Sequence, residues 1–401
     1  MKILEFSDFH QTGGAAIAAS RIARSLNDLG HSVIRASSDS KESNLALFIG
    51  RKAYFLSLLL GKLSLNNIVK KVYKNDILNR FISITQQIEP DCILFHNLHG
   101  AGWPLEMVLK SANRFPTSWT LHDCSSFLAS FYPSHSPKPN AENLLSCKQF
   151  WETYDKGRKS RPALHGVSPS SWLREQAVSG YWKSDEIITI HNPVPDYFFT
   201  NLDRKSCKKA LKLNPEKKVI LVIAGNLSEE RKGGPIIKEL MSSFNSQTLQ
   251  LLVIGSECPE VVSNCENVRH LGAVKDEITL QIAYHAADIL FHPAPVDNLP
   301  NTVAEAMSCG TPVLAFRTGG LPEMIIDGES GWLVKKKDSS SILKILDEII
   351  SAPIGTNFGE ASRARAKKLF DSQTIGKKYV DHLSKLIFRK PDIAQNISNK
   401  S

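Results

Sequence analysis

The sequence predicts an α/β chain built from two doubly wound, Rossmann-like domains facing a central cleft. Three observations lead there. At 401 residues the chain exceeds what one ordinary core accommodates. Short β-rich apolar runs alternate with helix-length segments, the pattern of a parallel sheet covered on both faces. The alternation also breaks at a turn-rich stretch, HNPVPD (191–196), and then starts again.

In the first half, residues 3–6, 32–36, 91–95, 117–121, 166–168 and 187–190 read as strands. A glycine-led helix runs from Gly13 to Gly30, with Ile17, Ile22, Leu26 and Leu29 as its apolar positions and Gly30 ending it. In the second half the strands are 219–224, 251–254, 268–271, 289–292, 312–316 and 331–334. A long helical region, 360–388, closes the fold and is expected to cross back over the first domain. The expected boundaries are 1–195, 196–375, a terminal helix 376–389 and a disordered polar tail 390–401.

Composition is that of a globular protein, with 42% hydrophobic and 22% charged residues. The first residues, MKILEF, read as a strand carrying an acid and not as a signal peptide. The longest membrane candidate, YFLSLLL (54–60), is too short to span a bilayer. Seven cysteines (92, 124, 147, 207, 258, 265 and 309) are scattered without a Cys-x-x-Cys pair, which suits reduced thiols in the cytoplasm. The formal charge of +9 is concentrated: residues 51–80 hold seven Lys or Arg against Asp76 alone. Without a recognised nucleic-acid module this does not point to DNA or RNA. Its mixture with Phe55, Leu58, Leu59 and Leu63 fits two readings equally, a face packed on the sheet or a peripheral contact with an anionic membrane.

Open α/β sheets bind ligands beyond the carboxyl ends of their strands, and the unusual residues fall there. Gly13 and Gly14 follow the first strand and open a helix, where a missing Cβ lets amides approach an anion. They do not form the dinucleotide fingerprint, which lowers a nicotinamide reading. The loop NLSEERKGG (226–234) sets Asn226, Arg231 and Lys232 before two glycines, a pattern for diphosphate binding that a solvated basic turn also satisfies. The stretch PVDNLPNTVAEAMSCGTPVLAF (295–316) is more specific. A helix starting at Leu299 or Pro300 puts Asn301 and Thr302 in its first turn and Glu305 on the same face. Val303, Ala306 and Met307 then face the core. Asp297 precedes the helix, and its carboxylate with that of Glu305 suits paired sugar hydroxyls. His96, His99 and His122 lie at neighbouring strand ends. With no Asp-x-Asp and no metal-ligand spacing, no catalytic metal is expected.

These residues resemble glycosyltransferase family 4, the retaining sugar-nucleotide enzymes of the GT-B fold. The resemblance rests on TGGAAIAASRIARSLNDLGHSV, WTLHD, VSPSSWL, IHNPVPDYFF, AGNLSEERKGG, HLGAV and, most specifically, residues 286–334. It implies that Glu305 holds the donor ribose and that Asp297 contacts the transferred sugar. It further implies that the Leu299–Pro300–Asn301–Thr302 backbone binds sugar or phosphate. Arg231 and Lys232 would form the phosphate-loop pair, Gly14 would sit by the diphosphate, and His122 beside the reacting sugar. Asn226 stands where many members carry Arg. The family has Glu more often than Asp at the position of Asp297.

The implied function is metal-independent, retaining hexosyl transfer from a nucleotide-diphosphate sugar, with no other cofactor. The acceptor would be a saccharide or lipid-linked molecule in cell-surface polysaccharide or glycolipid synthesis. The alternatives are an epimerase or hydrolase of sugar nucleotides on the same fold, and a non-catalytic sugar-nucleotide-binding protein.

Overall fold

A computed structural model of the chain describes residues 1–39, 66–133, 141–157, 164–241, 247–335, 338–351 and 356–388. It divides into two compact units, one comprising Met1–Pro193 with the segment from Gln373 onward, the other Val194–Ser372.

Among the described residues the first unit holds six strands: β1 (Lys2–Ser7), β2 (Ser32–Ser37), β3 (Cys92–Phe95), β4 (Thr117–Thr120), β5 (Leu164–Ser168) and β6 (Ile187–Thr189). They form one sheet in the order β2-β1-β3-β4-β5-β6, parallel throughout. The second unit holds β7 (Lys218–Ile223), β8 (Leu249–Ile254), β9 (Val268–His270), β10 (Ile289–His292), β11 (Val313–Phe316) and β12 (Gly331–Val334). Its sheet is also parallel, in the order β12-β11-β10-β7-β8-β9. All twelve strands lie where the sequence pattern puts them, with ends within two residues.

Strand alternation explains why both faces of each sheet are covered. On β1, Leu4 and Phe6 enter one apolar cluster with Phe81, Phe95 and Trp103, while Ile3 enters another with Ile22, Leu26 and Tyr379. On β7, Val219 and Leu221 belong to one cluster, Ile220 and Val222 to a second. Successive side chains of a strand point to opposite faces, so a strand buried on both sides reads as an unbroken apolar run.

The strand orders also fix where a ligand can enter. In the first sheet the order reverses between β1 and β3, and in the second between β7 and β10. Loops leaving such a pair of strands diverge to opposite faces and open a crevice at their carboxyl ends.

Two expectations need correction. The region 360–388 is not one helical stretch but two helices, Thr356–Phe370 and Ser372–Phe388, interrupted at Asp371. Asp371 makes an isolated bridge to Val194, and Ala366 and Phe370 belong to a core of the second unit. Only Ser372–Phe388 packs on the first unit, through Ile375, Tyr379, Leu383 and Leu386. A Cβ at Gly376 would stand 2.9 Å from Leu29 Cδ1, so a small residue is what lets this helix approach the helix Gly14–Asp28. The helix of the 295–316 stretch starts at Asn301, one or two residues later than expected. Pro300, at φ −65° and ψ 123°, is its cap and not its first residue.

Residues 51–65, with the apolar face Phe55, Leu59 and Leu63, lie outside the described residues. In the helix Asn66–Ile88 that follows, Tyr73, Ile77, Phe81 and Ile84 are core. Lys74 and Arg80 pair with Glu106 and Asp76 at 2.5 and 2.8 Å. Among the described residues no helix is long and apolar enough to cross a membrane. Five of the seven cysteines, all free, are buried.

Candidate functional site

In the N-terminal unit, the ends of β1, β3 and β4 bring polar side chains together. Gly13 caps the helix Gly14–Asp28 at φ 91°, a conformation that glycine adopts without strain. Asp8, just beyond β1, accepts hydrogen bonds from the amides of Phe9 at 2.9 Å and Gly100 at 3.2 Å. Burial raises its pKa, more than His99 and those amides lower it. His96 follows β3 and His122 follows β4. Their rings meet, with His96 Nδ1 2.9 Å from His122 Nε2. Burial first, then His96 and His99, holds the pKa of His122 well below its ordinary value, so this ring is neutral. Asp123 accepts from Asn97 at 3.2 Å and lies 3.7 Å from His99, while Ser125 bonds both Asp123 and His99. The three histidines singled out in the sequence thus belong to one cluster.

In the C-terminal unit, the loops after β7 and β10 meet. Gly233 has φ 86°, and a Cβ there would lie 2.3 Å from the carbonyl oxygen of Pro293. A Cβ on Gly234 would lie 2.1 Å from the Leu227 carbonyl. The glycine pair is therefore required by the packing of the loop itself. Lys232 emerges from it with Nζ 3.8 Å from Asp297 Oδ2, and His292 Nε2 lies 3.5 Å from the same oxygen. The second loop is fixed from behind: the Asp297 carbonyl accepts the Gly320 amide at 3.1 Å. Gly319, at φ 59°, leaves no room for a Cβ, which would fall 1.8 Å from that carbonyl.

The helix Asn301–Ser308 continues from this loop. Its first intrahelical bonds are donated by Val303 and Ala304 to Pro300, so the amides of Asn301 and Thr302 precede them, at the positive end of the dipole. The Leu299 side chain is in the core. Val303, Ala306 and Met307 are buried as expected. Glu305 is not a surface acid: it is 4% exposed, and the Tyr284 hydroxyl donates to its Oε2 at 2.6 Å.

Two residues of the 226–234 loop are engaged locally. Asn226 donates to Glu257 at 2.8 Å and accepts the Ser228 amide, and Arg231 pairs with Glu229 at 2.6 Å. Lys232 is the member brought to Asp297. The residues that sequence reading missed are Asp8, Tyr284, His292 and Gly319. His292 and Asp8 carried a signal, as polar residues at the ends of apolar strands. Tyr284 carried none, since its contact joins two helices distant in sequence.

Comparison with known proteins bears on this arrangement. Residues 218–352 match the family model described as glycosyl transferases group 1. This C-terminal segment is thus similar to the group 1 glycosyltransferases. The D-inositol 3-phosphate glycosyltransferase of Mycobacterium marinum is 26% identical over 193 residues, 45% of this chain and 41% of that protein. The chain thus spans under half the length of this curated relative. Sucrose-phosphate synthase from Thermosynechococcus elongatus superposes with a TM-score of 0.75 at 19% identity, over 96% of this chain and 99% of that one. The Anabaena protein HepE, solved with UDP-glucose, gives 0.70 at 16% identity over 96% and 100%. These structural likenesses establish the GT-B fold.

Proposed function

We propose that the protein transfers a hexose from a nucleotide-diphosphate sugar to a saccharide or lipid-linked acceptor, with retention of anomeric configuration and without a metal. The observation that carries the reading is the convergence, at the β7/β10 switch point, of Lys232, His292, Asp297 and the start of the helix Asn301–Ser308. A leaving diphosphate needs positive charge where its own charge develops, and a lysine with helix-terminal amides supplies it. Arg231, from the same turn, adds a second cation once it leaves Glu229. On this reading Glu305, which Tyr284 orients, accepts hydrogen bonds from the ribose hydroxyls. On this reading Asp297, with its backbone clamped by Gly320 and its carboxylate beside two basic groups, orients the transferred sugar.

In the N-terminal unit, Gly13 and Gly14 offer amides at a helix start to an anionic group, and the neutral His122 offers a hydrogen-bonding group to the sugar or the acceptor. Similarity to proteins acting on inositol phosphate and on sugars supports the class of reaction, and cell-surface polysaccharide or glycolipid synthesis is the setting we propose. A screen of nucleotide-diphosphate sugars by thermal shift tests the reading, because a ligand that binds only the folded state raises the midpoint. A stabilising sugar nucleotide is expected, followed by glycosylated product when acceptors are added. Donor consumption that is complete without an acceptor points instead to an epimerase or hydrolase.

A further inference from the structure

The N-terminal sheet contains a line of charged and polar side chains that crosses it from strand to strand. Arg35 on β2 is the register partner of Glu5 on β1. Its Nε stands 2.5 Å from Glu5 Oε1. On the other side, Glu5 Oε2 faces His96 Nε2 at 3.6 Å, and both side chains are fully buried. Among the described residues neither atom has a hydrogen-bond partner, so each faces the other as an electrostatic complement. His96 then reaches His122 through Nδ1. Arg35, Glu5, His96 and His122 therefore follow the order β2-β1-β3-β4 of the sheet itself.

We propose that Arg35, Glu5 and His96 are positioning residues that fix His122 as the tautomer protonated at Nε2, leaving its Nδ1 a hydrogen-bond acceptor. The argument is one of charge and proton count. Arg35 and Glu5 balance each other in the interior, so two neutral imidazoles keep the buried line free of net charge. Each neutral imidazole carries one proton. The Glu5 carboxylate accepts and cannot donate, so it favours the proton of His96 on Nε2. His96 Nδ1 is then a bare acceptor, and the hydrogen bond to His122 closes only if His122 donates from Nε2. The backbone of His96 is held on both sides for this purpose: its amide donates to Phe6 at 2.9 Å, and its carbonyl accepts Trp119 Nε1 at 3.0 Å. Arg35 also donates to the His10 carbonyl at 3.2 Å, which fixes the far end of the line. Burial tends to raise the pKa of Glu5, but Arg35 and His96 outweigh it and the net shift is downward, in keeping with an ionised carboxylate at neutral pH.

The catalytic consequence rests on the glycosyl-transfer reading; the tautomer does not. With Nδ1 as acceptor, His122 can take a hydrogen bond from a sugar or acceptor hydroxyl, and cannot donate one from that atom. The test is nitrogen-15 imidazole spectroscopy of the full-length protein at neutral pH, without ligand. His122 is expected to be protonated at Nε2 and bare at Nδ1. In the double variant Glu5→Met/Arg35→Met, which leaves no buried charge unpaired, the preference should be lost. There kcat should fall on the order of tenfold or more, with a much smaller change in donor KM, as for a histidine released from its orienting acid. His122 protonated at Nδ1 in the unaltered protein overturns the proposal whether or not the double variant folds. So does a double variant with unchanged His122 spectra and unchanged kcat. If the tautomer is as expected and no sugar nucleotide is turned over, the relay stands and the glycosyl-transfer reading falls.

Discussion

At the first switch point, between β1 and β3, the charges lie inside the protein: Glu5 has no exposed side-chain surface, and Arg35 retains only 12%. At the second, between β7 and β10, they stay in reach of solvent, with Lys232 at 28% and Asp297 at 14%. The distances differ accordingly. Arg35 and Glu5 touch at 2.5 Å, whereas Lys232 stands 3.8 Å from Asp297, loose enough for a ligand atom to compete for it. A buried ion pair is committed to the fold and orients its neighbours. A spaced, partly hydrated pair keeps its charge for something that arrives later. On the proposed reading, the same topological feature serves fixed orientation in one unit and ligand capture in the other.

The contrast breaks most visibly in stability. Glu5→Ala leaves Arg35 buried without its counter-charge, and the expected cost is about 3–5 kcal/mol. Lys232→Ala removes a partly exposed group and should change stability by less than about 0.5 kcal/mol. Urea unfolding of the two variants measures both. Similar losses in the two would show that the pairs do not differ in kind.

Acid sharpens the same comparison. Burial is the main cause that lowers His382, on the helix packed against β4, to about 3, with His165 and Lys385 adding to it. His285 in the other unit is lowered to about 4 by burial, then by Arg363 and Arg204. A histidine whose folded pKa is depressed binds its proton more readily when unfolded. Stability is therefore complete above about pH 6.5 and is lost as pH falls toward the folded values, at roughly 1.4 kcal/mol per pH unit for each group. Glu5, also lowered, adds a further loss as pH falls below its ordinary value of 4.5. Melting temperatures should decline below about pH 6.5. His382→Gln, which keeps a partner for Ser118, should flatten that decline. An unchanged slope in this variant would remove His382 from the account.

How much of this was legible beforehand depends on the kind of signal. Strands buried on both faces announce themselves as apolar runs, so all twelve could be placed, and the strand-end residues Asp297, Lys232 and His122 with them. The break at Asp371 was not legible, because the residues on both sides favour helix and only the bridge to Val194 separates them. Glu5 was visible as an acid inside an apolar strand, yet its partners come from β2 and from beyond β3, and no local spacing connects them. Tyr284 and Glu305 are likewise joined by tertiary packing alone. Sequence periodicity shows which face a residue takes, but not which residue waits on the other side.

Ligand binding gives smaller effects, and they should fall on the second switch point. Lys232→Ala and Glu305→Gln should each weaken binding of a sugar nucleotide by about 1–3 kcal/mol, the range for a hydrogen bond to a charged group. Tyr284→Phe, which frees the Glu305 carboxylate without removing it, should cost about 1 kcal/mol of donor affinity. Calorimetry on folded variants decides this. Donor affinity unchanged in both Lys232→Ala and Glu305→Gln would mean that the second switch point does not hold the nucleotide.

The smallest expected effect is none at all, on removing divalent metal. A diphosphate leaving group must be neutralised either by a metal ion or by fixed protein charge. Lys232, Arg231 and the amides of Asn301 and Thr302 provide fixed charge at the site where the diphosphate is proposed to lie. Turnover of the donor identified by thermal shift should therefore persist in excess EDTA, at the rate measured before chelation. Activity abolished by EDTA and restored by Mg²⁺ or Mn²⁺ would mean that Lys232 and its neighbours do not carry the leaving group alone.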